Sequence, residues 1–329
     1  MTGDTFGKKF RITTFGESHS GSVGVIIEGC PKGITISPDE VQRELDRRRP
    51  GTGPGVSQRN EPDRLEVISG FTGGRTNGKP IRIKVMNTDA RPSDYDEITH
   101  KPRPGHADLS YYLKYGKISP GGGRSSARET VARVMAGAVA KQVLATRGVS
   151  VSGRTVSVRG AADFDREIMR AKAENDSVGG IVEVIAAGVR PGLGEPVFDK
   201  LDADLAKALM GIGGVKGVEI GAGFASATMK GSENNDPIII GKGKLMTRTN
   251  NAGGILGGIS NGMPIVCRIA VKPTSSIGIG QDTVDLRTMK RARISVRGRH
   301  DPCICPRLVP VAEAMVAITI LDHLLRAEG

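Results

Sequence analysis

The sequence predicts an α+β fold, and three observations lead there. Runs of β-branched residues bounded by Gly or Pro come in groups and do not alternate strictly with helices, as a doubly wound parallel sheet would require. Four segments carry helical apolar periodicity, two of them behind capping residues. Glycine supplies 46 of 329 residues with no Gly-X-Y period, which excludes collagen and marks a chain of tight loops. No low-complexity linker, charged tail or solenoid-length repeat divides the chain, so residues 1–329 are expected to form a single domain.

The elements follow in order. A strand is expected at 24–28. Ser37 then caps a helix with Pro38 at its first position and Glu40 completing a capping box; Val41 and Leu45 share one face, and Pro50-Gly51 stop it after Arg49. A strand at 81–86 precedes a glycine run. Behind it a second helix is expected to start, with Ser126 and Glu129 as its capping box and Val131, Val134, Met135, Ala138 and Val139 as its apolar face. Further strands are expected at 180–187, 218–220, 238–240 and 264–271, and further helices at 198–210 and 308–325.

Composition excludes several classes. No uninterrupted apolar run approaches the roughly 18–20 residues of a spanning helix, and the polar, basic start lacks the apolar core of a secretory signal. A soluble, cytoplasmic protein with no membrane partner is expected. The four cysteines form neither a disulfide framework nor a zinc pattern, so no metal is expected. A net charge of +12 and the Arg-rich stretch at 43–49 raise nucleic-acid binding, but aromatics are only 3% with no Trp, so stacking platforms are scarce and no nucleic-acid partner is expected.

Chemistry concentrates in loops. Phe15-Gly16-Glu17-Ser18-His19-Ser20-Gly21 sets a carboxylate, a hydroxyl and an imidazole between glycines, where they can converge on one ligand; an exposed polar loop reads equally well. Pro102-Arg103-Pro104-Gly105-His106-Ala107-Asp108 holds His106 in a proline-stiffened turn, with Asp108 placed to orient the ring; a stiff surface turn with an incidental His reads equally well. In Gly121-Gly122-Gly123-Arg124-Ser125-Ser126, backbone N–H groups, a helix start, two hydroxyls and Arg124 favour a phosphate, although the run is neither a Walker A loop nor GxGxxG; an ordinary capped helix is the plainer alternative. Lys272-Pro273-Thr274-Ser275-Ser276 adds an ammonium and three hydroxyls at a strand end, and Arg297-Gly298-Arg299-His300-Asp301 adds cation, imidazole and carboxylate. The glycine-rich pieces at 210–214 and 250–262 carry no charge and would meet a ligand with backbone. His323 sits near Arg326 at a helix end, where the helix dipole explains it. With no Gly-x-Ser-x-Gly and no paired Cys and His, the set suits a small polyanion held by arginines, with histidine as the acid. A nucleotide-dependent phosphotransferase is the other enzymatic reading, but no Mg²⁺-binding carboxylate pair stands near the glycine run.

Taken in order, Phe15-Gly16-Glu17-Ser18-His19, Arg47-Arg48-Arg49-Pro50-Gly51, Arg103-Pro104-Gly105-His106-Ala107-Asp108, Gly122-Gly123-Arg124-Ser125-Ser126-Ala127-Arg128-Glu129-Thr130, Gly253-Gly254-Ile255-Leu256-Gly257-Gly258, Lys272-Pro273-Thr274-Ser275-Ser276 and Gly298-Arg299-His300-Asp301-Pro302-Cys303 resemble the chorismate synthase family over essentially the whole chain. The resemblance implies a β/α/α/β sandwich whose antiparallel sheets enclose helices, assembled as a homotetramer. It implies a 1,4-anti elimination of phosphate from 5-enolpyruvylshikimate 3-phosphate to give chorismate, the last step of the shikimate pathway, with reduced FMN required. It also implies residue roles. His106 manages protonation of the reduced flavin, His19 protonates the departing phosphate, and Asp301, Ser126 and Ser18 stand near flavin N5. FMN contacts fall on Arg124, Ser125, Ser126, Gly257, Lys272, Pro273, Thr274, Ser275, Ser276 and Arg299, and substrate contacts on Arg48, Arg49 and Arg128. Two departures stand out. Pro54 occupies the place of a basic residue linked to NADPH, so a separate flavin reductase is expected to supply reduced FMN, with NADPH acting only indirectly. Gly213-Gly214 replace an Asn-Ala flavin contact, which leaves only backbone to serve there.

Overall fold

The computed structural model describes residues 2–49, 62–88, 99–241, 243–296 and 301–329; Pro54, Arg299 and His300 lie outside them. Two antiparallel sheets dominate. One has five strands in the spatial order Thr5–Phe6, Arg11–Phe15, Ser22–Glu28, Ile81–Met86, Glu66–Ser69. The other has four, in the order Val215–Ile220, Ile265–Val271, Gly180–Ala187, Ser150–Val158. Alternation drives the burial: Ile81, Ile83 and Val85 point inward from one sheet, and Ile265, Cys267, Ile269 and Val271 from the other.

The helices are α1 (Pro38–Arg48), α2 (Asp108–Tyr115), α3 (Thr130–Ala145), α4 (Phe164–Ala173), α5 (Leu201–Met210), the single turn α6 (Gly231–Asn234) and α7 (Cys305–Ala327). Helix α3 lies on Arg11–Phe15 and Ser22–Glu28, α7 lies on Ser150–Val158 and Gly180–Ala187, and the two helices pack on each other. The layers are therefore sheet, helix, helix, sheet: the α+β class matches the reading of the residues, and the sandwich matches what the family resemblance implies. Close approach of the middle layers depends on Gly137, because a Cβ there would overlap Ala314. Helix α7 has mean hydropathy 1.8 in its most apolar window, enough by length and composition to span a membrane, yet 94% of that window is buried inside the protein. It is the central core helix.

Two expected caps differ in detail. Ser37 Oγ accepts from Glu40 N at 3.3 Å, but the reciprocal half of the box is replaced, since Ser37 N donates to Gln142 Oε1 at 2.7 Å. The second helix starts later than its spacing suggests. Two 3₁₀ turns, Pro120–Ser125 and Ala127–Glu129, precede α3; Ser126 caps only the second, and Glu129 is drawn off to Arg133. His323 is no helix-end residue in solvent: it is buried, its Nε2 lies 2.8 Å from Asp204 Oδ2, and burial lowers its pKa against the pull of Asp204.

Candidate active site

The site is organised by the glycine run. Gly121, Gly122 and Gly123 all take positive φ (61°, 84° and 51°), a path that leaves no room for side chains on their inner faces. A Cβ on Gly121 would stand 2.8 Å from His19 Nδ1 and 3.1 Å from Ser18 Oγ, and one on Gly122 would stand 3.3 Å from His106 Cε1 and 3.6 Å from its Nε2. Consecutive glycines therefore hold the two imidazoles singled out by the sequence. Ser18 is buried beside them. Ser125 Oγ donates to Gly122 O at 2.6 Å, and Arg124 turns its fork to Gly16 O (2.6 Å), Thr14 Oγ1 (2.6 Å) and Asp4, lashing the run to the N-terminal strand.

His106 is oriented from behind. Asp108 Oδ1 lies 2.6 Å from its Nδ1, while Arg103 grips the same carboxylate through Nε (2.7 Å) and Nη2 (2.9 Å). Burial opposes ionisation of Asp108, but hydrogen bonds from Arg103 and His106 outweigh it and hold the carboxyl well below its ordinary pKa. An ionised Asp108 assigns the proton to Nδ1 and leaves Nε2 on the side of Gly122.

This turn is clamped to the Lys272–Ser276 segment. Arg103 Nη1 donates to Ser276 Oγ (3.1 Å), and Lys272 Nζ donates to Gly105 O (2.6 Å) and Ser275 Oγ (2.7 Å). Burial, then the nearby Lys216, lowers the Lys272 pKa. Thr274 Oγ1 donates to Asp301 O (3.1 Å), and the Asp301 carboxylate pairs with Arg307 in the first turn of α7. Arg307 Nε reaches Arg48 O at 3.1 Å. Arg48 and Arg128 then share one buried carboxylate, Asp63. Arg128 Nε donates to Asn87 Oδ1 (2.7 Å), and Asn87 Nδ2 donates to Glu17 O (3.0 Å) and Ser20 O (2.5 Å), back at the loop of His19. The contacts close a ring.

Within the ring, the cations Arg48, Arg103, Arg128, Lys272 and Arg307 outnumber the carboxylates Asp63, Asp108 and Asp301. Burial, opposed by Asp63, pushes Arg48 down to about 10, so it is still cationic at neutral pH. Its Nε is buried with no hydrogen-bond partner among the described residues. Among the described residues, buried Arg48, Arg103 and Arg128 with one open guanidinium donor suit an anion. Among the described residues, no cluster of three or more His, Cys, Asp or Glu could hold a metal ion.

Other expected site residues lie at or off the ring. Gly214 O accepts from Lys272 N (2.9 Å), placing it at the edge, whereas Gly213 faces open space. Arg49 caps α1 and pairs with Asp46 on that helix. Pro273 packs near Gly179. Gly257 turns a hairpin whose neighbour Gly258 bonds Leu201 at the start of α5, and no hydrogen bond joins it to the ring among the described residues. Sequence reasoning missed Asp63, Asn87 and Arg307 as site residues, because each is a single polar residue without a motif.

A layered α+β scaffold thus brings two imidazoles and several guanidinium groups onto one ring. The chorismate synthase family model matches residues 10–325. Chorismate synthases of Methanococcoides burtonii and Chloroflexus aurantiacus are each 51% identical, covering 99% of this chain and 97% and 96% of their own lengths. A crystal structure of chorismate synthase superposes with a TM-score of 0.76 at 32% identity, covering 98% of this chain and 93% of that one. The chain belongs to the chorismate synthase family.

Proposed function

We propose that the chain, acting as one unit over residues 1–329, converts 5-enolpyruvylshikimate 3-phosphate to chorismate by 1,4-anti elimination of phosphate from C3 and hydrogen from C6, with reduced FMN bound in the ring. The carrying observation is that His19 and His106 flank consecutive glycines on the ring that holds the buried Arg48, Arg103 and Arg128. The residues suit both anions. Lys272, Ser275, Ser276 and the glycine backbone offer donors for a flavin phosphate or ring edge, and Arg48 with its open Nε suits the substrate's phosphate or carboxylates. When bound, reduced FMN would supply transient electron donation and an acceptor for the C6 hydrogen. His19, beside Ser18, protonates the leaving phosphate. His106, its Nδ1 proton fixed by Asp108, presents Nε2 to hold or release the proton of the reduced flavin. Asp301, paired with Arg307, and Ser126 are the residues that would stand toward flavin N5. Arg128 aligns the substrate's anionic groups together with Arg48.

The flavin is delivered already reduced by a separate reductase, and the working form is a cytoplasmic homotetramer. Exposed Ile238, Ile240 and Leu245 on one hairpin support assembly. Anaerobic incubation with dithionite-reduced FMN and 5-enolpyruvylshikimate 3-phosphate is expected to release chorismate and phosphate in equal amounts. Release of neither would overturn the assignment.

A further inference from the structure

We propose that Asp63 is a positioning residue of this site, a buried carboxylate that takes one arginine on each oxygen and sets Arg48 and Arg128 in the fixed relation in which both meet a phosphate or carboxylate ligand. The proposal rests on the assignment of those two arginines to the substrate. Asp63 Oδ2 accepts from Arg48 Nη2 at 3.0 Å and Oδ1 accepts from Arg128 Nη1, and the side-chain exposures are 0% for Asp63, 5% for Arg48 and 2% for Arg128. Two buried guanidiniums this close repel, and the shared carboxylate offsets that repulsion.

The dependence is greater for Arg48. Its remaining hydrogen bonds are long, 3.4 Å to Thr130 Oγ1 and 3.5 Å to Ala127 O, and its Nε has none among the described residues. Arg128 has further anchors in Asn87 and Met86 O. Asp63 is itself held independently of its carboxylate. Gln42 Nε2 on α1 donates to Asp63 O (3.1 Å), and Gln42 Oε1 accepts from Leu65 N (3.0 Å). Its φ of 45° is left-handed, a conformation Asp and Asn tolerate better than most residues.

Asp63→Asn keeps the shape and the backbone preference and removes the charge. Calorimetric titration of flavin-free protein with 5-enolpyruvylshikimate 3-phosphate and with inorganic pyrophosphate is the direct reading, alongside steady-state kinetics. The variant is expected to bind both about 10- to 100-fold more weakly and to raise KM by a similar factor with kcat little changed, the scale of a misplaced binding group. Unchanged affinity with only a lowered melting temperature would assign Asp63 a purely structural role and overturn the proposal. Tighter binding would also overturn it, showing that Asp63 competes with the ligand. Should Asp63→Asn be insoluble, Gln42→Ala decides: weaker binding in a folded protein supports the proposal, and unchanged binding overturns it. If the wild type binds these anions but forms no chorismate, the proposed reaction fails while the titrations still judge Asp63. If the wild type binds neither, the anion site and the role of Asp63 fall together.

Discussion

At Gly121 and Gly122 the lack of a side chain is what lets His19 and His106 come to one place. Gly121→Ala would set a methyl against His19 in a left-handed backbone position, and is expected to lower turnover at least as much as His19→Ala while the protein stays folded by circular dichroism. His19→Ala and His106→Ala are each expected to lower turnover by about 10- to 10⁴-fold with saturating reduced FMN, the scale of general acid catalysis. Near-wild-type rates would remove those roles. Part of this was legible in the sequence: two prolines and the His-x-Asp spacing already place Asp108 behind His106, and the two atoms meet at 2.6 Å. Asp63, Asn87 and Arg307 were not legible. Their partners lie on other elements, and nothing local distinguishes them from ordinary surface polar residues.

At the scale of elements, α1, α3 and α7 are stitched together beneath the site by Glu313. This buried carboxylate accepts from Arg47 Nη1 (2.7 Å) and Nη2 (2.8 Å), from Gly153 N (2.7 Å) and from Lys141. Burial works against its charge, but Arg47 and Lys141 prevail and lower its pKa. A carboxyl with a lower pKa in the folded state stabilises fully above its unfolded value, and that contribution fades as pH falls through the folded value. Glu313→Gln is therefore expected to cost about 1.5–3 kcal/mol at pH 7 in urea unfolding, the scale of charge-assisted hydrogen bonds lost at a buried carboxylate while Arg47 and Lys141 keep Glu44. The gap to the wild type should narrow below about pH 4, where unfolded glutamates protonate. Equal stability at pH 7 would contradict this. Strands and helices with strong periodicity were legible: 81–86 and 180–187 match the strands Ile81–Met86 and Gly180–Ala187 at both ends. Ser150–Val158 was not, because it alternates exposed polar residues with half-buried ones and carries little apolar signal. The late start of α3 was also missed, since Ser126 and Glu129 spell a capping box that the preceding glycine turn and Arg133 pull apart.

For the whole molecule, the order of layers places three helix ends together: the last turn of α1 with Arg48, the turns leading into α3 with Arg128, and the first turn of α7 with Arg307. That convergence, and not any one motif, gathers the arginines of the proposed anion site. The exposed hairpin, with Ile238, Ile240 and Leu245 between 76% and 78% exposed, is the face assigned to the proposed assembly. Ile240→Asp is expected to lower the molar mass in light scattering without loss of fold, and an unchanged mass would exclude that face. The central claim is that one ring holds the flavin beside both histidines. A crystal structure of the protein with FMN tests it most directly. The account predicts the flavin ring within contact distance, about 4 Å, of His106 and the Lys272–Ser276 segment, with the glycine run on the side of His19. A flavin seated out of contact with both histidines would contradict it.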